Sequence, residues 1–160
     1  IAISEGIKTD NELLFISSIL HDSGLTDKHN HICSQQCFAN YGGDYAKNFV
    51  LKNGMDTNNA NLVKKAIDLH LYPNVDKVKF GNEAYLLSKG AAMDVIGSHY
   101  FQLPNEFIKA THKKYSRIDF KDDIIQTIEE LKHKENTRAD ILYKMGFNKL
   151  ANKNRLDTNF

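Results

Sequence analysis

The chain lacks a long apolar run, a Pro/Ser-rich linker and a strong net charge, and each absence excludes a class of protein. Its 160 residues include two prolines, and no stretch is rich enough in Pro and Ser to separate domains. A hydrophobic content of 41% therefore predicts one core in a single domain. Lys and Arg number 21 against 20 Asp and Glu, a net charge of +1. This balance argues against nucleic acid held by bulk electrostatics and suits a small or neutral ligand.

No apolar stretch reaches membrane-spanning length, and no charged and then apolar leader with a cleavage site is present. We therefore expect no membrane partner and a cytoplasmic location. The first residue is Ile1 and not methionine, so a preceding segment could carry a leader. Assembly into a homo-oligomer stays open.

The two cysteines form no recognisable framework. Cys33 and Cys37 are separated by three residues without a second pair, so a disulfide or a zinc pair is less favoured than ordinary thiols. Two nearby histidines, His29 and His31, lie in a polar segment. That segment is read as a solvated connection or as part of a pocket entrance.

Apolar spacing predicts helices throughout the chain. Thr9 and Glu12 form a capping-box pattern before a helix at 13–20, and Gly24 marks its end. Further helices are predicted at 45–53 between Gly42-Gly43-Asp44 and Gly54, at 56–70, at 83–97, from Pro104, at 120–131 and at 139–145. Since no period-two pattern occurs, we predict an all-α, irregular multi-helix bundle with its site between crossing helices. Residues 1–147 form the domain and residues 148–160 a polar C-terminal tail.

A histidine and an aspartate close the first apolar helix. His21 and Asp22 follow the run at 13–20. An imidazole and a carboxylate that project from one helix end can reach a single divalent cation, whose charge offsets the cost of burying the carboxylate. Two adjacent residues recur by chance in many chains, so the pair alone is weak evidence.

Two later helices each carry a polar group on an apolar face. His70 shares its face with Val63, Ala66 and Ile67, and Asp94 shares one with Ala84, Leu87 and Ala91. Taken singly, each has a structural interpretation, as a core histidine with its hydrogen bonds made or an aspartate that accepts bonds at a turn. A buried aspartate without a cation or several donors is costly, however. Together with His21 and Asp22, the two groups indicate a metal site.

Four separated segments resemble the HD superfamily of metal-dependent hydrolases, and their order is most similar to its cyanamide hydratase-like branch. The segments are LLFISSILHDSGLT at 13–26, CFANYGGDYA at 37–46, AIDLH at 66–70 and KGAAMDVIG at 89–97. The resemblance implies an HD-type helical domain in which His21, Asp22 and Asp94 bind a metal. It also implies that His70 either contacts substrate and bound water or completes a second metal site.

One feature departs from the family pattern. The family's first metal histidine lies on an upstream helix, whereas the first histidine here is His21. We therefore expect that the helix carrying this ligand is missing, that residues 1–6 are its tail, and that three ligands hold the metal more weakly.

The resemblance implies an enzyme that uses a divalent metal, zinc or iron first and manganese or magnesium next, to activate water against a small substrate. In the cyanamide hydratase-like reading, water attacks a nitrile carbon, with His70 and Asp22 as catalytic residues and His70 as proton donor. The alternative is a phosphohydrolase of a nucleotide or other phosphoester, with Lys28 and Lys89 as the nearest cations in sequence. A second alternative is a degenerate HD domain that serves as a binding module.

Overall fold

Nine α-helices build the part of the chain that the structure, a computed structural model, describes, residues 1–157. No strand occurs in that range, so the predicted all-α class is confirmed. None of these helices combines the length and apolar character needed to cross a bilayer. The helices are α1 Asn11–Leu20, α2 Phe38–Lys52, α3 Thr57–Leu69, α4 Lys77–Phe80, α5 Asn82–Ile96, α6 Asn105–Lys114, α7 Phe120–Glu130, α8 Arg138–Lys144 and α9 Phe147–Ala151, with 3-10 turns at Ser23–Leu25, Asn30–Ser34, Tyr100–Gln102 and Arg155–Asp157.

Aspartate residues cap the N-termini of α1 and α3, the two helices that end at the candidate site. Asp56 caps α3 as predicted, because its carboxylate accepts hydrogen bonds from the first backbone N–H groups of the helix. The predicted Thr9 capping box on α1 is wrong. Asp10 holds the N-cap position and accepts from the N–H groups of Glu12 and Leu13, whereas the Thr9 hydroxyl lies 3.0 Å from Oδ1 of Asn11.

Two glycines lie inside α2 and not before it. The helix begins at Phe38 and includes Gly42 and Gly43, both buried, so the predicted start at 45 is wrong. A Cβ atom at Gly43 would lie 3.1 Å from the Lys64 carbonyl oxygen and would collide with the Asp68 carboxylate. Glycine is unfavourable in a helix by about 1 kcal/mol relative to alanine. Here that cost is offset because the missing side chain lets α2 and α3 pack closely.

The main core lies between α1, α2, α3 and α5, with α3 at its centre. Val63, Ala66 and Ile67 are completely inaccessible to solvent, as their helical spacing predicts. Burial of a valine or isoleucine contributes about 1.5–3 kcal/mol, so this face holds α3 firmly against its neighbours. Because His70 directly follows α3 on the same face, the core also determines where its imidazole lies.

A second cluster joins the C-terminal helices to the segment between α1 and α2. Ile128 of α7 and Ala139 of α8 pack with Phe38 and with two cysteines. Cys33 and Cys37 are both buried free thiols. These contacts place α7 and α8 over the turn that follows α1.

The chain remains folded through residue 157, which differs from the predicted polar tail at 148–160. Ala151, Asn154 and Leu156 are buried, and Leu156 packs with Met93. The amide of Asn154 donates to the backbone carbonyl of Asp94 at 2.7 Å. Polar composition suggested a surface tail because a buried asparagine whose hydrogen bonds are made cannot be told from an exposed one by sequence. Residues 158–160 of the predicted tail lie outside the described residues.

Candidate metal centre

The end of α1 brings two of the predicted groups together. His21 follows the last residue of α1, and its Nδ1 lies 2.7 Å from the carbonyl oxygen of Ser18. A carbonyl oxygen can only accept, so Nδ1 carries the hydrogen and Nε2 is left with the lone pair that a metal needs. Asp22 comes next, at the start of the 3-10 turn. Gly24 in that turn lies so close to the Phe38 backbone that a side chain there would push the turn away.

The end of α3 repeats this arrangement. His70 follows α3 and is 4% exposed. Its Nδ1 lies 2.6 Å from the carbonyl oxygen of Ile67, so Nε2 is again the nitrogen with the lone pair. The rings of His21 and His70 meet edge to face, with centroids 5.1 Å apart and an interplanar angle of 82°.

The Asp22 carboxylate lies between the two imidazoles. Its Oδ2 is 3.1 Å from Nε2 of His21, and its Oδ1 is 3.5 Å from Nε2 of His70. Ligand atoms of all three residues lie within 4.8 Å of one another. A tetrahedral cation with bonds of about 2.0–2.2 Å separates its ligand atoms by roughly 3.3–3.6 Å, which is near the two distances from Asp22. The three residues could therefore hold a metal ion.

The two imidazoles keep the Asp22 carboxyl in its ionised form. Burial raises the pKa of Asp22, but hydrogen bonds with His21 and His70 and the charges of the two imidazoles outweigh burial. The pKa of this carboxyl therefore lies far below its usual range. For His21, burial lowers the pKa, and the Asp22 carboxylate more than compensates, so the pKa is raised. The raised pKa of His21 and the lowered pKa of Asp22 have one cause, because the imidazolium and the carboxylate each stabilise the charged form of the other.

Asp94 is not part of this cluster, and the prediction that it faces the core is wrong. Its side chain is 55% exposed, and Oδ1 accepts a hydrogen bond from Nη1 of Arg117. The same guanidinium bonds the Asp94 carbonyl oxygen at 2.8 Å and the Asp157 carboxylate at 2.8 Å. In the second half of α5, Met93 packs against Leu156 of the C-terminal segment. The next residue, Asp94, is left at the surface. Its charge still contributes to the raised pKa of His21.

An apolar cavity of about 210 Å³ opens beside the three clustered groups. Its walls come from the ends of α1 and α3, from α5 and from α7 to α9. The polar lining residues are His21, Asp22, His70, Tyr72, His133 and Tyr143, and the apolar lining includes Leu25, Phe38, Leu71, Ala92, Val95, Ile96, Ile124, Ile128, Leu142 and Phe147. No lysine or arginine of residues 1–157 lines this cavity. A negatively charged ligand would therefore meet no lysine or arginine side chain in this cavity.

The other predicted polar groups lie elsewhere. Lys89 binds the Glu5 carboxylate and the Tyr85 hydroxyl, and Lys28 is exposed. His29 is buried, with its Nδ1 2.9 Å from the Tyr41 hydroxyl, so the reading of its segment as a solvated connection is wrong at this residue.

Sequence reasoning missed several residues that line the cavity, among them Phe38, His133 and Tyr143. The Phe38 ring lies against His70 with centroids 5.8 Å apart. Local patterns carried no signal for His133, which lies between Lys132 and Lys134 in a polar stretch.

In comparisons with known proteins, no family model matches the chain and no curated protein matches it.

Proposed function

We propose that the protein is a metal-dependent hydrolase or hydratase of the HD type, in which His21, Asp22 and His70 hold one divalent cation. The observation that carries the proposal is the shared orientation of the two imidazoles. Each commits Nδ1 to a backbone carbonyl and directs Nε2 to the same carboxylate. Two imidazoles and one carboxylate suit zinc or iron better than magnesium, which prefers oxygen ligands, with manganese between them.

Three protein ligands leave room for water and substrate, as in catalytic sites. When bound, such a cation supplies Lewis acidity, which brings the pKa of water towards neutrality and polarises an electrophilic atom. The backbone and side chains of the protein form the rest of the site. The carbonyls of Ser18 and Ile67 keep the imidazoles in the ligating tautomer, and the apolar walls around Phe38 exclude bulk water.

The cavity favours a small neutral substrate. Its volume of about 210 Å³ falls below the roughly 300–1,000 Å³ of sites that enclose drug-sized ligands. Phosphoester hydrolysis requires cations near the equatorial oxygens, and neither Lys28 nor Lys89 lines the cavity. Hydration of a nitrile of the cyanamide type is therefore better supported than phosphohydrolase activity.

The test combines metal binding with activity. We expect equilibrium dialysis against zinc to give one bound ion per chain, and the zinc-loaded protein to convert cyanamide to urea but not to hydrolyse p-nitrophenyl phosphate. His21→Ala should lose both zinc and activity. The control His31→Ala removes an exposed histidine outside the cluster and should lose neither.

His70→Ala distinguishes two roles. Loss of zinc identifies His70 as a ligand, whereas loss of turnover with zinc retained identifies it as the proton donor. A folded protein that binds no zinc or iron would contradict the enzymatic proposal and favour a degenerate domain that acts as a binding module.

A further inference from the structure

The wall of the cavity that α7 and α8 build contains one histidine, His133, in largely apolar surroundings. This residue follows α7 and lies on a segment far in sequence from His21, Asp22 and His70. Its ring packs against Tyr143 with centroids 5.6 Å apart and an interplanar angle of 38°. The ring is partly buried, so each of its nitrogens needs a partner from the protein, from water or from a ligand.

The backbone determines which ring nitrogen of His133 carries the hydrogen. Nε2 lies 3.0 Å from the carbonyl oxygen of Ile128, and since that oxygen only accepts, Nε2 carries the hydrogen. In the neutral ring Nδ1 is then an acceptor. No hydrogen-bond partner for Nδ1 is present among residues 1–157.

On the basis of the function proposed above, we propose that His133 is a specificity-determining residue whose Nδ1 accepts a hydrogen bond from an N–H group of the substrate. The cavity then binds a small molecule at both of its ends. An N–H donor binds at His133, and the electrophilic carbon lies towards His21, Asp22 and His70. A substrate with a donor at one end should be preferred over one of the same shape without it, because the latter leaves Nδ1 without a partner.

Cyanamide and acetonitrile form a matched pair of probes, since they share a nitrile and differ by an amino group in place of a methyl group. We would titrate each into isotope-labelled protein kept free of zinc by a chelator, and follow the amide resonances. The wild type should bind cyanamide about five- to tenfold more tightly than acetonitrile, as expected for one hydrogen bond. His133→Leu should abolish this preference, whereas His133→Gln keeps an amide donor for the Ile128 carbonyl and an acceptor and should retain part of it.

Tyr143→Phe is the control on the same wall, because it removes a hydroxyl and leaves the ring in place. We expect it to keep the preference for cyanamide. A preference that survives in His133→Leu, or is absent in the wild type, would overturn the assignment. If His133→Leu does not fold, as judged by its circular dichroism, the other two variants still decide. Partial retention of the preference in His133→Gln with full retention in Tyr143→Phe supports the accepting nitrogen, whereas loss of the preference in Tyr143→Phe overturns it.

A separate zinc titration of His133→Leu distinguishes the two proposals. Unchanged zinc affinity together with a lost cyanamide preference supports both. A wild type that binds no zinc but prefers cyanamide through His133 would refute the metal site and leave the specificity residue in place. A wild type that binds zinc but shows no preference for cyanamide would support the metal site and overturn the assignment of His133.

Discussion

Zinc should stabilise the folded chain, and removal of the His70 imidazole should abolish that effect. A ligand that binds only the native state adds RT ln(1 + [L]/Kd) to the free energy of unfolding, which is about 2.7 kcal/mol when the ligand concentration is a hundred times Kd. For a chain of 160 residues, 1 kcal/mol shifts Tm by about 2–4 °C, so we expect a rise of about 5–11 °C. His70→Ala deletes one of three ligand residues, and its Tm should stay nearly constant at the same zinc concentration.

The comparison uses the zinc-induced shift within each variant and not the absolute Tm. His70 is 4% exposed, so its truncation also leaves a cavity and lowers Tm without any metal. Differential scanning fluorimetry over a zinc series measures the shift for the wild type, His70→Ala and the control His31→Ala. An undiminished shift in His70→Ala would show that His70 is not a zinc ligand.

The shift should also depend on pH, with a sign that the site determines. The pKa of His21 is raised above its ordinary value of 6.5. In the metal-free protein this group contributes stability that is fully present below pH 6.5 and is lost as the pH rises through the folded-state pKa. The depressed pKa of Asp22 contributes stability above its ordinary value of 3.8, lost only in strong acid.

Zinc binding responds to pH in the opposite direction, because the His21 imidazole must lose its proton before it binds the metal. Between pH 6 and pH 8 the contribution of His21 to the stability of the zinc-free protein should fall, while the zinc-induced shift should grow. Thermal melts with zinc and with a chelator at each pH measure both trends. A zinc-induced shift of constant size across this interval would refute the proposed ligand set.

Three further predictions concern the scaffold. Gly43→Ala should destabilise the chain by about 1–3 kcal/mol in urea unfolding, because the new methyl group meets Asp68. In the control Gly90→Ala, the methyl group meets no atom within 4 Å, and this variant should be more stable by up to about 1 kcal/mol. Equal effects of the two substitutions would contradict the close packing of α2 on α3. Asp56→Ala removes the cap of α3 and should cost about 0.5–2 kcal/mol by the same measurement. Burial raises the pKa of Cys33 to about 11, so about one thiol in a thousand is ionised at pH 8; peptide mapping after iodoacetamide should find it labelled in urea only.

Local patterns predicted the helices well where the spacing of apolar residues and the cap agreed. Asp56 and the face of Val63 and Ile67 located α3, and with it His70. The same reasoning failed at Gly42 and Gly43, because glycine inside a helix is justified only by a neighbour that passes close by. That neighbour, α3, is a tertiary contact that a local pattern does not contain.

The residues of the candidate site were likewise predicted only in part from the sequence. His21 and Asp22 lie where the end of an apolar helix predicted them, and His70 joins them. Asp94 shared an apolar face with Leu87, yet it meets Arg117 at the surface. A helical face predicts burial only while the same partner covers it, and α5 changes partners along its length.

The amino-acid sequence by itself determined the all-helical class, the burial of the α3 face and the adjacency of His21 and Asp22, because these depend on residues within a few turns of one another. Only the tertiary structure decided that His70 completes the cluster, that Asp94 does not, and that His133 lines the same cavity. Those relations join segments separated by tens of residues, and the packing of whole helices sets their distances.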